Sequence, residues 1–512
     1  MGLRHGLIVG LGVALAAAPL ASQGAWAQSG GGQTGRMTTV PSAAADPQPT
    51  SFATARVRTL TDALAASYAN NPALQAERAR LRATDEGVPQ ALSGWRPQVS
   101  LSGSAGYGDG YSRQTLPGGT TTLPSGTVQA LPGRQSDART LRSYGTASAV
   151  VTQPVYNGGR SRASLNRADN AVMAERARLI VAEQTAMTDT VSAYVGLIQA
   201  QQTLGLRGNN EQVLARQLQA TNDRFRVGEI TRTDVAQAEA ALAGATADRE
   251  RALGDLQIAR SSFQRAVGYL PPPDLVEPQP LILPIKNQND AAILARSNNP
   301  TVVAALFDNA AAKDNVDQQF SALLPTVSLQ GQVFQQANQN TAHNSTNGYQ
   351  VGAVLSVPLY QGGAEYSTVR QARQQQQVTQ RSVDDARRTA QQQAVQAWET
   401  LVSNRAQAES ARVQIRANQI ALEGVQREAI VGSRTTLDVL NAQQTLLQSQ
   451  LLLVQNLAAV VSQSYTVAAA VGRLTARDLN LPVAYYDETA YYNAVRNKWF
   501  GTGDQAVDQP NR

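Results

Sequence analysis

The chain has 512 residues, no cysteine and a formal charge of +6 carried almost wholly by arginine. The lack of thiols excludes disulfide staples, thiolate metal sites and a lipidated N-terminal cysteine; the only imidazoles are His5 and His343, and no basic cluster interleaved with aromatics marks a nucleic-acid surface. Apolar residues make up 42% of the chain but aromatics only 5%, which suits long, thin helices packed through Ala and Val better than one broad core.

Residues 1–27 read as a secretory signal peptide: Arg4 and His5 at the start, an apolar stretch over 7–20, and Ala25-Trp26-Ala27 before Gln28. A flexible segment is expected over 28–58. No later stretch gives about 18 continuous apolar residues, so any entry into a membrane must be as a closed β-barrel.

The rest divides into a first repeat (59–270), a linker (271–288), a second repeat (289–475) and a C-terminal segment (476–512). The evidence is internal recurrence. Asn70-Asn71-Pro72 returns as Asn298-Asn299-Pro300, and Trp95-Arg96-Pro97 is echoed by Leu323-Leu324-Pro325. PVYNGG at 154–159 returns as PLYQGG at 358–363, VGEITRTDV at 227–235 as VGSRTTLDV at 431–439, and Val267-Gly268 as Val471-Gly472. The last three pairs share one offset and the first two a larger one. The length difference therefore falls between Tyr107 and Tyr144, a Gly-, Pro-, Thr- and Ser-rich stretch read as a loop.

Each repeat predicts helix, strand, loop, strand, very long helix, tight turn, return helix. The first helices are expected over 59–93 and 289–323, and the hairpins over 97–156 and 325–358, with outer loops at 108–143 and 336–347. Val327, Leu329 and Val333 alternate with Ser328, Gln330 and Gln332, and Val351, Ala353, Leu355 and Val357 face away from Gln350 and Ser356. In the first hairpin Ala147, Ala149, Val151 and Val155 alternate with Thr146, Ser148 and Thr152. Period-two alternation over about ten residues is the pattern of a membrane-barrel strand, and Tyr107, Tyr144, Tyr156, Tyr349 and Tyr360 fall near expected strand ends. Four strands cannot close a barrel, so the chain must oligomerise; a dimer gives a filled eight-strand barrel and a trimer a twelve-strand one with room for a channel.

The long helices run over about 159–225 and 364–429, some 67 proline-free residues in the first, or roughly 100 Å at about 1.5 Å per residue. The return helices (about 231–267 and 435–471) cover half that length, and the helix before each hairpin supplies the other half. Such rods suit a tube. The Gln-rich stretch at 371–380 remains helical in this reading because apolar positions recur at helical spacing, as from Val439 to Leu457.

Pro154 and Pro358 belong at strand ends. Gly158-Gly159 and Gly362-Gly363 let the strand turn into a helix, and Tyr156 and Tyr360 suit an interfacial level. At the reversals, Gly228 and Gly432 end the long helices. Thr233, and Thr435 or Thr436, are the candidate caps of the return helices, with Asp234 and Asp438 in their first turns.

These motifs together resemble the TolC family of outer-membrane efflux proteins over about 57–500, and the tail LPVAYYDETAYYNAVRNKWFG at 481–501 resembles the type I secretion branch. The resemblance implies a mainly α fold with a membrane β-hairpin pair: a homotrimer with a twelve-strand barrel, a periplasmic α-helical barrel, and an equatorial belt to which the linker and the C-terminal segment contribute. It further implies a periplasmic adaptor (membrane fusion) protein and an inner-membrane ABC or proton-driven transporter as partners. Asp438 matches the first acidic position of the closed entrance; the second is Asn441 here, so a trimer presents three carboxylates rather than six. Thr233, Asp234 and Arg434 match the polar latch, but the Tyr that completes it in some members is Ala429, which implies a weaker or rearranged latch. Val227, Gly228, Val431 and Gly432 match the adaptor-contacting tip.

The expected function is the exit duct of a type I secretion or tripartite efflux system in the outer membrane of a Gram-negative bacterium. No catalytic residue, metal, cofactor or nucleic acid is expected. Asp384-Asp385 lies in a helical stretch, and GYGDG at 106–110 lacks the helix that a phosphate cradle needs. The rival reading is a structural or adhesive trimeric coiled-coil protein of the outer membrane.

Overall fold

The computed structural model describes residues 57–283, 285–338 and 344–503. The expected signal peptide, nearly all of the 28–58 segment, His343 and the last residues of the tail lie outside the described residues.

The first repeat runs α1 (Leu60–Asn70), α2 (Pro72–Asp85), α3 (Gly87–Leu92), β1 (Gln98–Leu116), β2 (Thr120–Thr122), β3 (Val128–Ala130), β4 (Arg134–Asn157), α4 (Arg160–Arg226) and α5 (Arg232–Val267). The second runs α6 (Gln288–Asn298), α7 (Pro300–Phe320), β5 (Thr326–Ala337), β6 (Ser345–Ser356), α8 (Ala364–Ile430) and α9 (Thr436–Ala470), with α10 (Ala490–Val495) in the tail.

The long helices α4 and α8 are each 67 residues, about 100 Å. Helix α4 packs against both α5 and α9, and α9 in turn against α8. Buried positions recur at seven-residue spacing: Ala238, Ala245 and Ala252 on α5, and Ala394, Leu401 and Ala408 on α8. A seven-residue repeat keeps one seam facing one neighbour and winds the helices left-handedly. Small residues along that seam let the backbones approach.

The expected single helices over 59–93 and 289–323 are each broken in two. A residue before proline is pushed out of the helical region, and both Asn71 and Asn299 are extended (ψ 118° and 125°). Each then caps the next helix: Asn71 Oδ1 accepts from the Ala73 amide at 2.9 Å and Asn299 Oδ1 from the Thr301 amide at 2.9 Å, with proline at the preorganised first position. The break is where the return helix arrives. Asn70 Nδ2 donates to the Tyr269 hydroxyl at 3.0 Å just beyond α5, and Asn299 Nδ2 donates to the buried Ala470 carbonyl at 3.0 Å at the end of α9.

Gly472 closes this second junction with φ +78°, and a Cβ there would lie 2.3 Å from the Asn298 carbonyl oxygen. Gly472→Ala combines a left-handed strain with a backbone clash. It is expected to cost about 1–3 kcal/mol and to lower the thermal midpoint of the purified protein. An unchanged midpoint would remove this contact from the account of how the half-helices stack.

The largest apolar cluster lies at this level, around Leu64, Met187, Val191, Tyr194 and Phe263. The Tyr194 and Phe263 rings meet at 6.1 Å, and the Tyr194 hydroxyl sits 2.7 Å from the Arg58 carbonyl and 2.8 Å from that of Val276. The linker and tail wrap onto it: the Leu281 amide donates to Ser464 Oγ at 2.9 Å and the Tyr486 amide to the Tyr68 hydroxyl at 3.1 Å.

Helix α9 departs from the expectation that no helix is apolar enough to span a bilayer, since by length and hydropathy it qualifies. The expectation rested on unbroken apolar runs, and α9 is interrupted by Gln455, Asn456, Ser462 and Gln463. It lies along α8 and α4 as a helix of the rod.

The sheet has the order β1-β4-β5-β6, all antiparallel. Register puts Val99, Val151, Gly331 and Val351 in one row and Leu101, Ala149, Val333 and Tyr349 in the next, all on one face. The opposite face carries Ser100, Val150, Gln332 and Gln350, then Ser104, Thr146, Gln336 and Thr346. Leu101 and Val351 are 82% and 79% exposed, so the apolar face is uncovered among the described residues.

The outer-loop assignment for 108–143 is corrected: most of it is strand. β1 and β4 continue to Leu116 and Arg134, with the short β2–β3 ribbon beyond them. The stretch lacks apolar alternation because cross-strand polar bonds hold it instead. Arg113 pairs with Asp137 at 3.0 Å and Arg139 with Asp109 at 2.6 Å. Tyr107 and Tyr144 therefore lie inside strands rather than at their ends, at the height where β5 stops (Ala337 opposite Gly145).

Candidate functional site

Two places carry the sequence motifs: the turns between strand and long helix, and the tips where the long helices reverse. In the first turn, Pro154 sits at a bulge in β4 rather than at its end, because the register shifts between Pro154 and Tyr156; the bulge removes the ladder bond that proline cannot make. Pro358 lies just past β6. Tyr156 and Tyr360 are exposed. Gly158 and Gly159 (φ +62° and +84°), like Gly362 and Gly363 (+72° and +80°), make the change of direction, and Gly159 and Gly363 immediately precede α4 and α8.

The two tips are near copies. Gly228 and Gly432 both have φ +77°, the left-handed step that ends a helix. The amides that follow fold back: Glu229 to the Arg224 carbonyl at 3.0 Å, Ser433 to the Glu428 carbonyl at 3.0 Å. Val227 and Val431 are left exposed at the apices. The caps are Thr231 and Thr435, each in a reciprocal box with the aspartate three residues on. Thr435 was among the expected caps; Thr233 was not the cap, since the Thr-x-x-Asp spacing that makes a box starts at Thr231. Thr233 is exposed in the first turn of α5.

Asp438 Oδ2 accepts from the Thr435 amide at 3.0 Å and the Thr435 hydroxyl at 2.8 Å. These bonds, helped by Arg434, hold its carboxyl below the usual aspartate range, and Thr231 does the same for Asp234. Both are charged at neutral pH. Asn441 is exposed one turn further along α9.

Arg434 does not pair with Asp234 within the chain. Its Nε lies 2.9 Å from Glu428 Oε2, while Asp234 is taken up by its own box. At the other tip Arg224 pairs with Glu229 at 2.6 Å. Arg224 and Glu428 occupy equivalent places in the two repeats with opposite sign, and each pairs with a residue of opposite charge just past its glycine, Glu229 and Arg434, which are not themselves equivalent positions. The opposite signs were readable by aligning the repeats one turn before the glycines. Ala429 is buried with Leu422, Val439 and Leu446 between α8 and α9, and presents no hydroxyl.

Comparison with known proteins agrees with this architecture. The family model described as "Outer membrane efflux protein" matches residues 63–269 and 292–473, one span in each repeat. The chain is 34% identical over 446 residues to outer membrane efflux protein BepC of Brucella suis, covering 86% of this chain and 91% of that protein. It is 24% identical to outer membrane protein TolC of Escherichia coli, over 80% of this chain and 81% of that one. The solved outer membrane protein VceC of Vibrio cholerae shares the fold with a TM-score of 0.66 at 20% identity, covering 81% of this chain and 96% of that one. The chain therefore belongs to the outer membrane efflux protein family, and its place is the outer membrane with its long helices in the periplasm.

Proposed function

We propose that three copies of this chain form the exit duct of a type I secretion or tripartite efflux system, passing proteins or small molecules through the periplasm and out of the cell. The observation that carries this is the sheet: four strands, apolar on one face and polar on the other, with β1 and β6 unpaired on their outer edges among the described residues. Open edges are not tolerated in lipid. Three such sheets joined β6 to β1 make twelve strands with the polar rows inward, a width that leaves a channel. The long helix pairs then continue that channel as a hollow rod. A rigid stalk would not need a polar inner face. The working partners in this reading are a periplasmic adaptor protein and an inner-membrane ABC or proton-driven transporter.

In this reading the tips form the gate. Asp438 and Asn441 line the constriction, Val227, Gly228, Val431 and Gly432 meet the adaptor, and Thr233, Asp234 and Arg434 latch neighbouring tips. Because Arg434 is held by Glu428 in its own chain, the latch across chains competes with that pair, and exposed pairs are worth only about 0–1 kcal/mol each. An adaptor can open such a gate at small cost.

The test is conductance in planar bilayers. The wild-type oligomer is expected to give stepwise, low-conducting insertions, and Arg434→Ala with Asp234→Ala to raise the conductance of each step. A soluble monomer with no insertions would sink the duct; a duct unchanged by the double substitution would sink the latch alone.

A further inference from the structure

The C-terminal segment leaves α10 and runs to the foot of the barrel. Arg96, two residues before β1, donates from Nη1 to the Lys498 carbonyl at 2.7 Å, and its guanidinium stacks over the Trp499 ring at 4.8 Å. Trp499 is 64% exposed and Phe500 90%. The tail is held firmly up to that point: Tyr492 donates to Asp169 Oδ1 at 2.9 Å and is flanked by Arg176 and Arg496. Two large aromatic side chains are thus presented to the surroundings by a fixed support.

Their level in the fold is informative. Around the foot of the same sheet the two strand-to-helix turns expose Val155, Tyr156, Leu359 and Tyr360. This band lies where the apolar face of the barrel meets the periplasmic side of the membrane, and an aromatic ring with one polar edge is most stable at such an interface. Arg96, seated behind Trp499, adds positive charge where lipid phosphates lie.

We propose that Trp499 and Phe500 insert into the periplasmic leaflet of the outer membrane, making the C-terminal segment an interfacial anchor. The occupant of this apolar patch is the phospholipid headgroup and acyl boundary, continuous with the lipid around the strands. Since the tail is also bonded to α1 and α4 through Tyr486 and Tyr492, the anchor ties the level of the equatorial cluster to the membrane surface. The proposal rests on the barrel being embedded in lipid, and its test separates the two.

With no native cysteine, the full chain accepts one nitroxide label cleanly. Phe500→Cys, and in parallel Trp499→Cys, would be labelled and reconstituted into phosphatidylethanolamine–phosphatidylglycerol vesicles. Accessibility to oxygen and to a water-soluble nickel chelate then reports depth. Val351→Cys on the apolar face serves as the lipid reference and Val227→Cys at the tip as the aqueous one. The anchor predicts that labels at 499 and 500 favour oxygen over nickel well beyond the value at 227, at a shallower depth than the label at 351. Nickel access like that at 227 would overturn it, as would exclusion of both reagents, which would report burial against a second copy of the chain. If the label at 351 is itself aqueous, the barrel reading fails rather than the anchor alone.

Discussion

Replacing Val351 by arginine is expected to keep the protein out of the outer membrane, whereas Gln350→Arg, one residue away, is expected to insert and conduct. Val351 lies mid-strand in β6, opposite Gly331 at the middle of β5 and in the same row as Val151. Arginine on the lipid face near the bilayer midplane costs about 2–4 kcal/mol, and a trimer bears that cost three times. Gln350 points to the other face, where its Nε2 already meets Gln332 Oε1 at 3.3 Å and where water would solvate a charge. Membrane fractionation and bilayer recording of the two variants check this. In Gln350→Arg the added ring of positive charge should shift ion preference toward anions. Equal insertion of both variants would mean that the two faces have been assigned wrongly, and with them the direction of the channel.

That prediction uses only the period-two pattern and the register, and the pattern was plain in the residues. So were the long helices, because a repeat whose length is kept between PVYNGG and VGEITRTDV in one copy, and between PLYQGG and VGSRTTLDV in the other, reports a physical constraint. Three things were hidden. The strands beyond Tyr107 and before Tyr144 are held by cross-strand ion pairs, which carry no hydrophobic period. The helix breaks at Asn71 and Asn299 were signalled by the following prolines, but each was read as a recurring motif within one helix rather than as a joint. The Glu428–Arg434 pair depends on how the turn folds back, and the family resemblance pointed to Asp234 as the partner of Arg434. The course of the tail onto Arg96 is a contact between residues some four hundred positions apart, which no local pattern encodes.

The region around the tail also contains a buried acid whose behaviour should set how stability varies with pH. Asp85, at the end of α2, is 1% exposed, and among the described residues neither of its carboxylate oxygens accepts a hydrogen bond. Burial pushes its pKa up to about 7, against the pull of Arg176 from α4 and Arg82 from its own helix and with a small push from Glu86; Tyr486 of the tail shares its field. The folded chain thus holds a proton that the unfolded chain releases near pH 4. Between about pH 4 and 7 the folded state binds more protons than the unfolded one, so stability falls as pH rises through that window and levels off above it. Asp85→Asn keeps the shape and removes the charge. It is expected to be more stable than wild type by about 1–3 kcal/mol at pH 8, the usual range for relieving a buried group without a partner, with the difference shrinking as pH falls and vanishing near pH 4. Thermal unfolding of both proteins across that pH range is the measurement. A variant that loses stability at pH 8 would show that the Asp85 carboxylate is paired with Arg176 when charged, and that this ion pair, rather than a neutral acid, joins α2 to α4 beneath the tail.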